Sequence, residues 1–119
     1  MRTRILSGIL LLTFVAFSAT VFGATFFVNT YTDFSDPTPD GVCDDGTGHC
    51  SLREAIQEAN ALAGLDTIYL PPGTYAMTIG GSNEDGCLTG DLDIFDDVSI
   101  IGLQSTRIES QVGRVMLLS

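Results

Sequence analysis

The sequence predicts a mainly β protein in which one helix caps the first coils of a right-handed parallel β-helix. After a single helical pattern at residues 51–64, the chain reads as short strands separated by minimal turns. Apolar residues recur every eight positions, at Ile100, Ile108 and Met116. Three such segments make about 24 residues, one three-sided coil, and eight residues are too few for a helical crossover. Hairpin signals such as Asn-Gly are missing, although a β-sandwich or a small α+β domain remains an alternative.

Residues 1–23 have the pattern of a signal peptide. Arg2 and Arg4 form a basic start, and residues 5–17 are mostly apolar. Cleavage is expected after Gly23, with the position after Ala24 as second choice, because small residues are needed next to the cut bond. An uncleaved membrane anchor is the alternative, since residues 5–23 are nearly long enough to span a bilayer. The sequence therefore predicts an exported protein, either secreted or held at the cell surface.

The chain that remains after cleavage is strongly acidic. It has three arginines against 15 acidic residues, a net charge of −12. Such a chain repels nucleic acid and anionic membranes, which are bound through Lys and Arg. We therefore expect no nucleic-acid partner and no membrane contact after cleavage. Clustered carboxylates outside the cell can bind Ca²⁺, but a solvated acidic surface is the simpler interpretation.

The segment before the helix contains a predicted strand, a break and a cysteine loop. Residues 25–33 are rich in aromatic and β-branched types, whereas 36–41 carry turn residues. In an exported chain, Cys43 and Cys50 are expected to form a disulfide across the Gly/Asp loop between them. Cys87 can compete for either partner, stay unpaired or join another chain. Together with His49 the cysteines also have the composition of a structural zinc site, but adjacent His49 and Cys50 lack the usual spacer.

The helix begins with a capping box formed by Ser51 and Glu54. Gly64 supplies the expected left-handed stop. The helix is predicted to lay one apolar stripe over the first coil, while the opposite face, with Arg53, Gln57 and Glu58, is predicted to face water. The stripe consists of Leu52, Ala55, Ile56, Ala59 and Leu62. A helix packed on the side of an α+β sheet is the alternative.

Strands fill most of the chain after the helix. Residues 67–70 and 74–79 are predicted strands joined by a Pro-Pro-Gly turn, followed by a polar loop at 80–90. The remaining predicted strands are 91–94, 98–102, 106–110 and 114–118. The last of these is apolar and is followed by no closing cap, so we expect a longer reading frame.

Several ordered motifs in this region resemble those of a known family. Residues 50–56 read CSLREAI, followed by Ala59-Asn60, by DTIYLPPGTY at 66–75 and by GDLDI at 90–94. The chain from about 25 to 110 resembles the CSLREA domain, an N-terminal module of secreted or surface-exposed bacterial proteins that continue as a right-handed parallel β-helix. The resemblance implies architecture and export, but no common catalytic activity. Cys87 and the acidic residues 95–97 depart from the family pattern.

Carboxylates are the candidate functional side chains of the predicted last strands. Paired carboxylates can hydrolyse glycosides or, with backbone carbonyls, bind Ca²⁺. If Leu92 and Ile94 point inward, however, the acidic residues beside them simply face solvent. No nucleophile–histidine–acid set or phosphate-binding loop is present in the sequence. The candidate Ca²⁺ ligands are Asp91, Asp93, Asp96 and Asp97.

The expected function is therefore a non-catalytic capping module of an exported β-helix protein, used in adhesion or surface presentation. Its expected partners are carbohydrates or surface proteins. One alternative is the N-terminal part of a polysaccharide lyase or hydrolase whose active site lies downstream. Another is an extracellular module stabilised by Ca²⁺.

Overall fold

The computed structural model describes Ala16 and residues 22–81 and 84–110. Most of the predicted signal peptide and the predicted strand at 114–118 lie outside these residues. The described chain contains one helix, α1 (Leu52–Ala61), and five strands. The strands are β1 (Thr25–Phe27), β2 (Asp66–Leu70), β3 (Gly73–Met77), β4 (Val98–Gly102) and β5 (Thr106–Ser110). The mainly β class with a single helix is thus confirmed for this part of the chain.

The strands form two small parallel sheets. The first has the order β1-β2-β4 and the second pairs β3 with β5. Phe26 lies opposite Ile68, which in turn lies opposite Ile100. In the second sheet, Tyr75 lies opposite Ile108. Every strand pairing among the described residues is therefore parallel, and Pro71-Pro72 carries the chain from the first sheet into the second.

The spacing between paired strands is longer than the sequence predicts. Asp66 pairs with Val98 and Gly73 with Thr106, offsets of 32 and 33 residues rather than about 24. The eight-residue step from Ile100 to Ile108 instead joins strands of the two different sheets. The additional residues lie between β3 and β4. The predicted strand at 91–94 is wrong, because these residues have an irregular backbone conformation and pack against α1.

The core lies between α1 and the two sheets. Side chains from β2, β3 and the inward stripe of α1 are almost fully buried, whereas Ile100 and Ile108 on β4 and β5 are only half-buried. Burial therefore decreases from the helix toward the last two strands. The most buried apolar residues include Leu52, Ala55, Ile56, Ile68, Leu70, Tyr75, Met77 and Leu92.

The helix begins as predicted but differs at its end and on its outer face. Ser51 and Glu54 form the complete capping box. The helix ends at Ala61 because Leu62 is extended, so Gly64, with φ +106°, lies beyond the stop. The predicted exposure of the other face is wrong: Arg53, Gln57 and Glu58 are all buried. Loops on either side cover them and supply polar partners.

Candidate functional site

A buried arginine is the centre of the best-defined polar network in the described chain. The Nε atom of Arg53 lies 2.7 Å from one carboxylate oxygen of Asp33, and an Nη atom lies 3.1 Å from the other. The guanidinium also donates to the carbonyl oxygens of Cys87, Gly90 and Asp91 at 3.1, 2.8 and 3.4 Å. Its five N–H groups thus match five acceptor contacts, which offsets the desolvation of the buried charge.

Asp33 extends this network to the end of β3. The carboxylate oxygen that accepts from the Arg53 Nη atom also accepts from the backbone N–H groups of Thr78 and Ile79, at 2.8 and 2.9 Å. This ion pair therefore connects the segment after β1, the helix, and two parts of the stretch between β3 and β4: its start at residues 78–79 and its middle at residues 87–91. A fully buried ion pair with every contact inside the protein is a structural feature, because its groups are not available to a ligand.

Side chains on the outer face of α1 form hydrogen bonds with the loop at residues 36–41. Gln57 accepts from the backbone N–H of Asp36 at 2.7 Å. Glu58 accepts from the backbone N–H groups of Asp40 and Gly41 at 3.1 and 2.6 Å. Burial, and to a smaller extent the nearby charge of Asp36, raises the pKa of Glu58. These two side chains therefore hold the loop on the helix by binding its backbone.

The predicted disulfide between Cys43 and Cys50 is present, with the two Cα atoms 5.0 Å apart. Asn29 fixes the same loop from outside. Its side-chain Oδ1 atom accepts from the N–H of Cys50 at 2.8 Å, and its side-chain Nδ2 atom donates to the carbonyl of Gly48 at 2.9 Å. The loop is therefore attached both to the start of α1 and to the segment after β1.

His49 lies in this loop and contacts Thr47 and Asp45 rather than a cysteine. Its Nδ1 atom is 2.7 Å from the Thr47 hydroxyl and 3.4 Å from an Asp45 oxygen. Hydrogen bonds from the hydroxyl and backbone N–H of Thr47 lower the pKa of Asp45 to about 2. The zinc alternative fails because Cys43 and Cys50 are bonded to each other.

Cys87 is unpaired and fully buried. Burial raises the pKa of its thiol to about 11, so very little reactive thiolate is present near neutral pH. Its backbone has φ +59°, and its carbonyl is one of the acceptors of Arg53. Cys87 therefore contributes to the fold through its backbone carbonyl and its buried side chain.

The candidate Ca²⁺ ligands do not come together as a metal site. Among the residues that the structure describes, no three side chains of His, Cys, Asp or Glu are grouped as a cation would require. Asp91 and Asp93 are half-buried, and their carbonyls accept from Arg53 and Asn60. Burial, followed by the charges of neighbouring carboxylates including Asp91, raises the pKa of Asp93.

An apolar row crosses the outer surface of the first sheet. Phe27, Tyr69 and Ile101 are aligned by the strand register and are 66%, 38% and 39% exposed. The rings of Phe27 and Tyr69 stack with centroids 5.2 Å apart. Leu70 and Leu103 help to line an adjacent depression of about 270 Å³. Exposed apolar side chains grouped in this way are typical of contact surfaces.

The capping box and the disulfide are predictable from local sequence, whereas the polar interior is not. Arg53 is the single basic residue of α1, and a charged residue on a helix face by itself predicts solvent exposure. Asp33 is one of many acidic residues and has no distinguishing pattern in the sequence. A pairing across 20 residues depends on the tertiary fold, so local periodicity cannot detect it.

Comparisons with known proteins give one partial similarity. The mannuronan C5-epimerase AlgE6 of Azotobacter vinelandii is 48% identical over 50 residues. The match covers 42% of this chain and 5% of the epimerase, so the chain spans only a small part of that relative. No protein-family model matches the chain, and no solved structure matches it. In the described part of the chain, no helix has the length and apolarity needed to cross a membrane.

Proposed function

We propose that this chain is a non-catalytic capping module at the N-terminal end of a right-handed parallel β-helix in an exported protein. The observation that carries this proposal is the pairing of two successive strands, β2 and β3, with two later successive strands at offsets of 32 and 33 residues. Parallel strands at a nearly constant offset are what stacked coils produce. The right-handed sense follows the general preference of parallel crossovers and the resemblance to CSLREA domains.

The distribution of burial supports the capping role. A solenoid requires a terminal element that closes its core and satisfies its polar groups. Here α1 and the loops around it bury the side of the core next to β2 and β3, and the Arg53 network satisfies the enclosed charge. At the other side, Ile100 and Ile108 are half-buried and help to line a depression of about 370 Å³. One more coil stacked on β4 and β5 would cover them.

Export is supported by the cysteine chemistry and by the predicted signal peptide. Disulfides form and persist outside the cytosol, and the bond between Cys43 and Cys50 closes the loop in front of the cap. The apolar row of Phe27, Tyr69 and Ile101 is the surface that we assign to contact with carbohydrate or with another surface protein. Adhesion or surface presentation needs such a surface and no catalytic group.

Engineered disulfides test the proposed coil. Thr74 and Arg107 are opposite each other on exposed positions of β3 and β5. In a Cys87→Ala background, Thr74→Cys combined with Arg107→Cys should cross-link on oxidation, because paired strands lie about 4.8 Å apart. The control pair Thr74→Cys with Glu109→Cys should not, because its Cα atoms exceed about 7 Å. Equal cross-linking of both pairs, read by mass spectrometry, would contradict the register.

The partial similarity to AlgE6 favours a second candidate, in which the module belongs to a polysaccharide-modifying enzyme. Incubation of the exported protein with mannuronan, followed by proton NMR, distinguishes the two candidates. Inversion at C5, chain cleavage or new unsaturated ends would support the enzyme. Binding without any chemical change, weakened by Phe27→Ala and Tyr69→Ala but not by Gln104→Ala at another exposed position, would support the adhesive module.

A further inference from the structure

Asp66, the first residue of β2, has a buried carboxylate with incomplete pairing. The residue is 0% exposed. Its Oδ1 atom accepts from the backbone N–H of Ala24 at 2.6 Å. Its Oδ2 atom is buried and has no hydrogen-bond partner among the described residues. Buried charges in proteins are normally paired and hydrogen-bonded, so a single neutral N–H is poor compensation for this carboxylate.

The described arginines do not provide the missing charge. Arg53 forms its ion pair with Asp33, and Arg107 forms one with Glu109. The sequence contains no lysine. The group that faces the carboxylate is instead the nitrogen of Ala24.

The backbone holds that nitrogen in place. The carbonyl of Ala24 accepts from the N–H of Thr67 at 2.8 Å, and the next residue, Thr25, pairs with Thr67 in the sheet. Ala24 is therefore fixed at the start of the parallel ladder, with its nitrogen directed at Asp66. If this nitrogen carried a positive charge, it could pair with the Asp66 carboxylate without any movement of the backbone.

The positions of Phe22 and Gly23, the two residues before Ala24, are compatible with their removal by cleavage. Gly23 is pressed against the backbone of Leu65 so closely that a Cβ atom there would overlap its carbonyl oxygen. Phe22 is 85% exposed, an unfavourable position for a large apolar side chain. Gly23 also meets the requirement of signal peptidases for a small residue before the cut bond. The sequence pattern and the local crowding thus point to the same bond, between Gly23 and Ala24.

We propose that cleavage after Gly23 completes the fold by creating an α-ammonium at Ala24 that forms a buried ion pair with Asp66. A signal peptidase adds water across the Gly23–Ala24 bond; the carboxylate leaves with Gly23, and the ammonium remains on Ala24. One N–H of the ammonium keeps the contact with Oδ1, and another becomes available to Oδ2. A charged donor group replaces a neutral one in a site that is already formed. The inference rests on the proposed export of the chain.

The absence of lysine makes the ion pair directly measurable. In the chain that starts at Ala24, the α-amine is the single primary amine, so an amine-reactive ester labels one site. An ion-paired, partly buried ammonium retains its proton and reacts through local opening. We expect labelling to be at least about tenfold slower in the folded protein than in urea. The matched control begins at Gly23, one residue earlier, and should label rapidly in both conditions.

Asp66→Asn completes the experiment. In the chain that starts at Ala24, this substitution should accelerate labelling and lower the urea midpoint. In the chain that starts at Gly23, where no ammonium meets the carboxylate, its effect on the midpoint should be much smaller. Equal effects in the two chains, or rapid labelling of the folded Ala24 chain, would overturn the ion pair.

The mass of the exported protein tests the processing step separately. An N-terminus at Ala24 is expected; an N-terminus at another residue would overturn the proposed cleavage. The cross-linking of β3 to β5 is independent of either result. Failure of the ion pair can therefore be distinguished from failure of the capping proposal.

Discussion

The side chain at position 53 has to be an arginine because of the geometry of its acceptors. Two carboxylate oxygens and three carbonyl oxygens surround it, and the planar guanidinium donates in five fixed directions. A lysine ammonium carries the same charge but three donors at a single point. Charge alone would therefore not replace this residue.

We predict that Arg53→Met lowers the free energy of unfolding by about 3–5 kcal/mol, because it leaves the Asp33 carboxylate buried without a counter-charge. Arg53→Lys should also destabilise, through the acceptors that it leaves unpaired. Urea denaturation followed by circular dichroism measures both. The control is Arg107→Lys. The Arg107 side chain is 73% exposed and pairs with Glu109, so we expect the free energy of unfolding to change by no more than about 1 kcal/mol. Equal effects at the two positions would contradict the assigned role of Arg53.

Glu58 should make stability depend on pH in the direction set by its raised pKa. Its ordinary value is 4.5, and burial raises the pKa in the folded protein. A carboxyl group whose pKa is raised by folding binds its proton more tightly in the folded protein than in the unfolded chain. Its contribution to stability is therefore complete below pH 4.5 and is lost as the pH rises through the pKa of the folded state. The urea midpoint of Glu58→Gln should therefore fall less between pH 4 and 7 than that of the natural protein. Parallel profiles would contradict this.

At the scale of elements, α1 shows what local sequence can and cannot predict. The capping box depends on residues three positions apart, Ser51 and Glu54, and was predictable. The surroundings of the helix depend on partners 17 to 38 residues away, such as Gly41 and Asp91, so polar residues that favour solvent in isolation became buried. A helix with charges on one face can thus be an interior helix when loops supply the counter-groups.

The disulfide loop yields an element-scale prediction. Closing a loop with a sequence separation of 7 should stabilise the protein by about 2–3 kcal/mol, mainly by restricting the unfolded chain. Replacing Cys43 and Cys50 together by Ser should lower the free energy of unfolding by this amount in urea titrations. Reductant should destabilise the natural protein equally and leave the double variant unchanged. A double variant that still responds to reductant would contradict this assignment.

For the whole molecule, the sequence predicted mainly β structure with one helix but not the length of the repeat. The eight-residue step from Ile100 to Ile108 correctly separates β4 from β5, which follow each other in the chain but lie in different sheets. The described residues between β3 and β4, 78–81 and 84–97, form no strand, and they bind α1 through groups such as the carbonyls of Gly90 and Asp93. Residues inserted between two strands to pack on another element need not follow the repeat of the strands. The offset between paired strands predicted from the repeat is therefore too short.

The uneven burial predicts uneven protection of backbone amides. Ile68 and Tyr75 lie in fully buried parts of β2 and β3, whereas Ile100 and Ile108 are half-buried. Native-state hydrogen exchange should therefore be slowest in β2, β3 and α1 and faster in β4 and β5, because segments with fewer buried contacts open more often. Identical opening free energies in all five strands and the helix would show instead a single cooperative unit.

The contacts of Arg53 also determine when the protein can finish folding. Synthesis proceeds from the N-terminus, and Asp33 is made before Arg53, but the carbonyl acceptors of Cys87 and Asp91 follow it by 34 and 38 residues. The helix therefore emerges from the ribosome well before the groups that permit its burial. A helix whose burial requires residue 91 stays exposed until that residue has been synthesised, which is compatible with the export that we propose. The helix at the start of the proposed solenoid is therefore among the last elements to be completed.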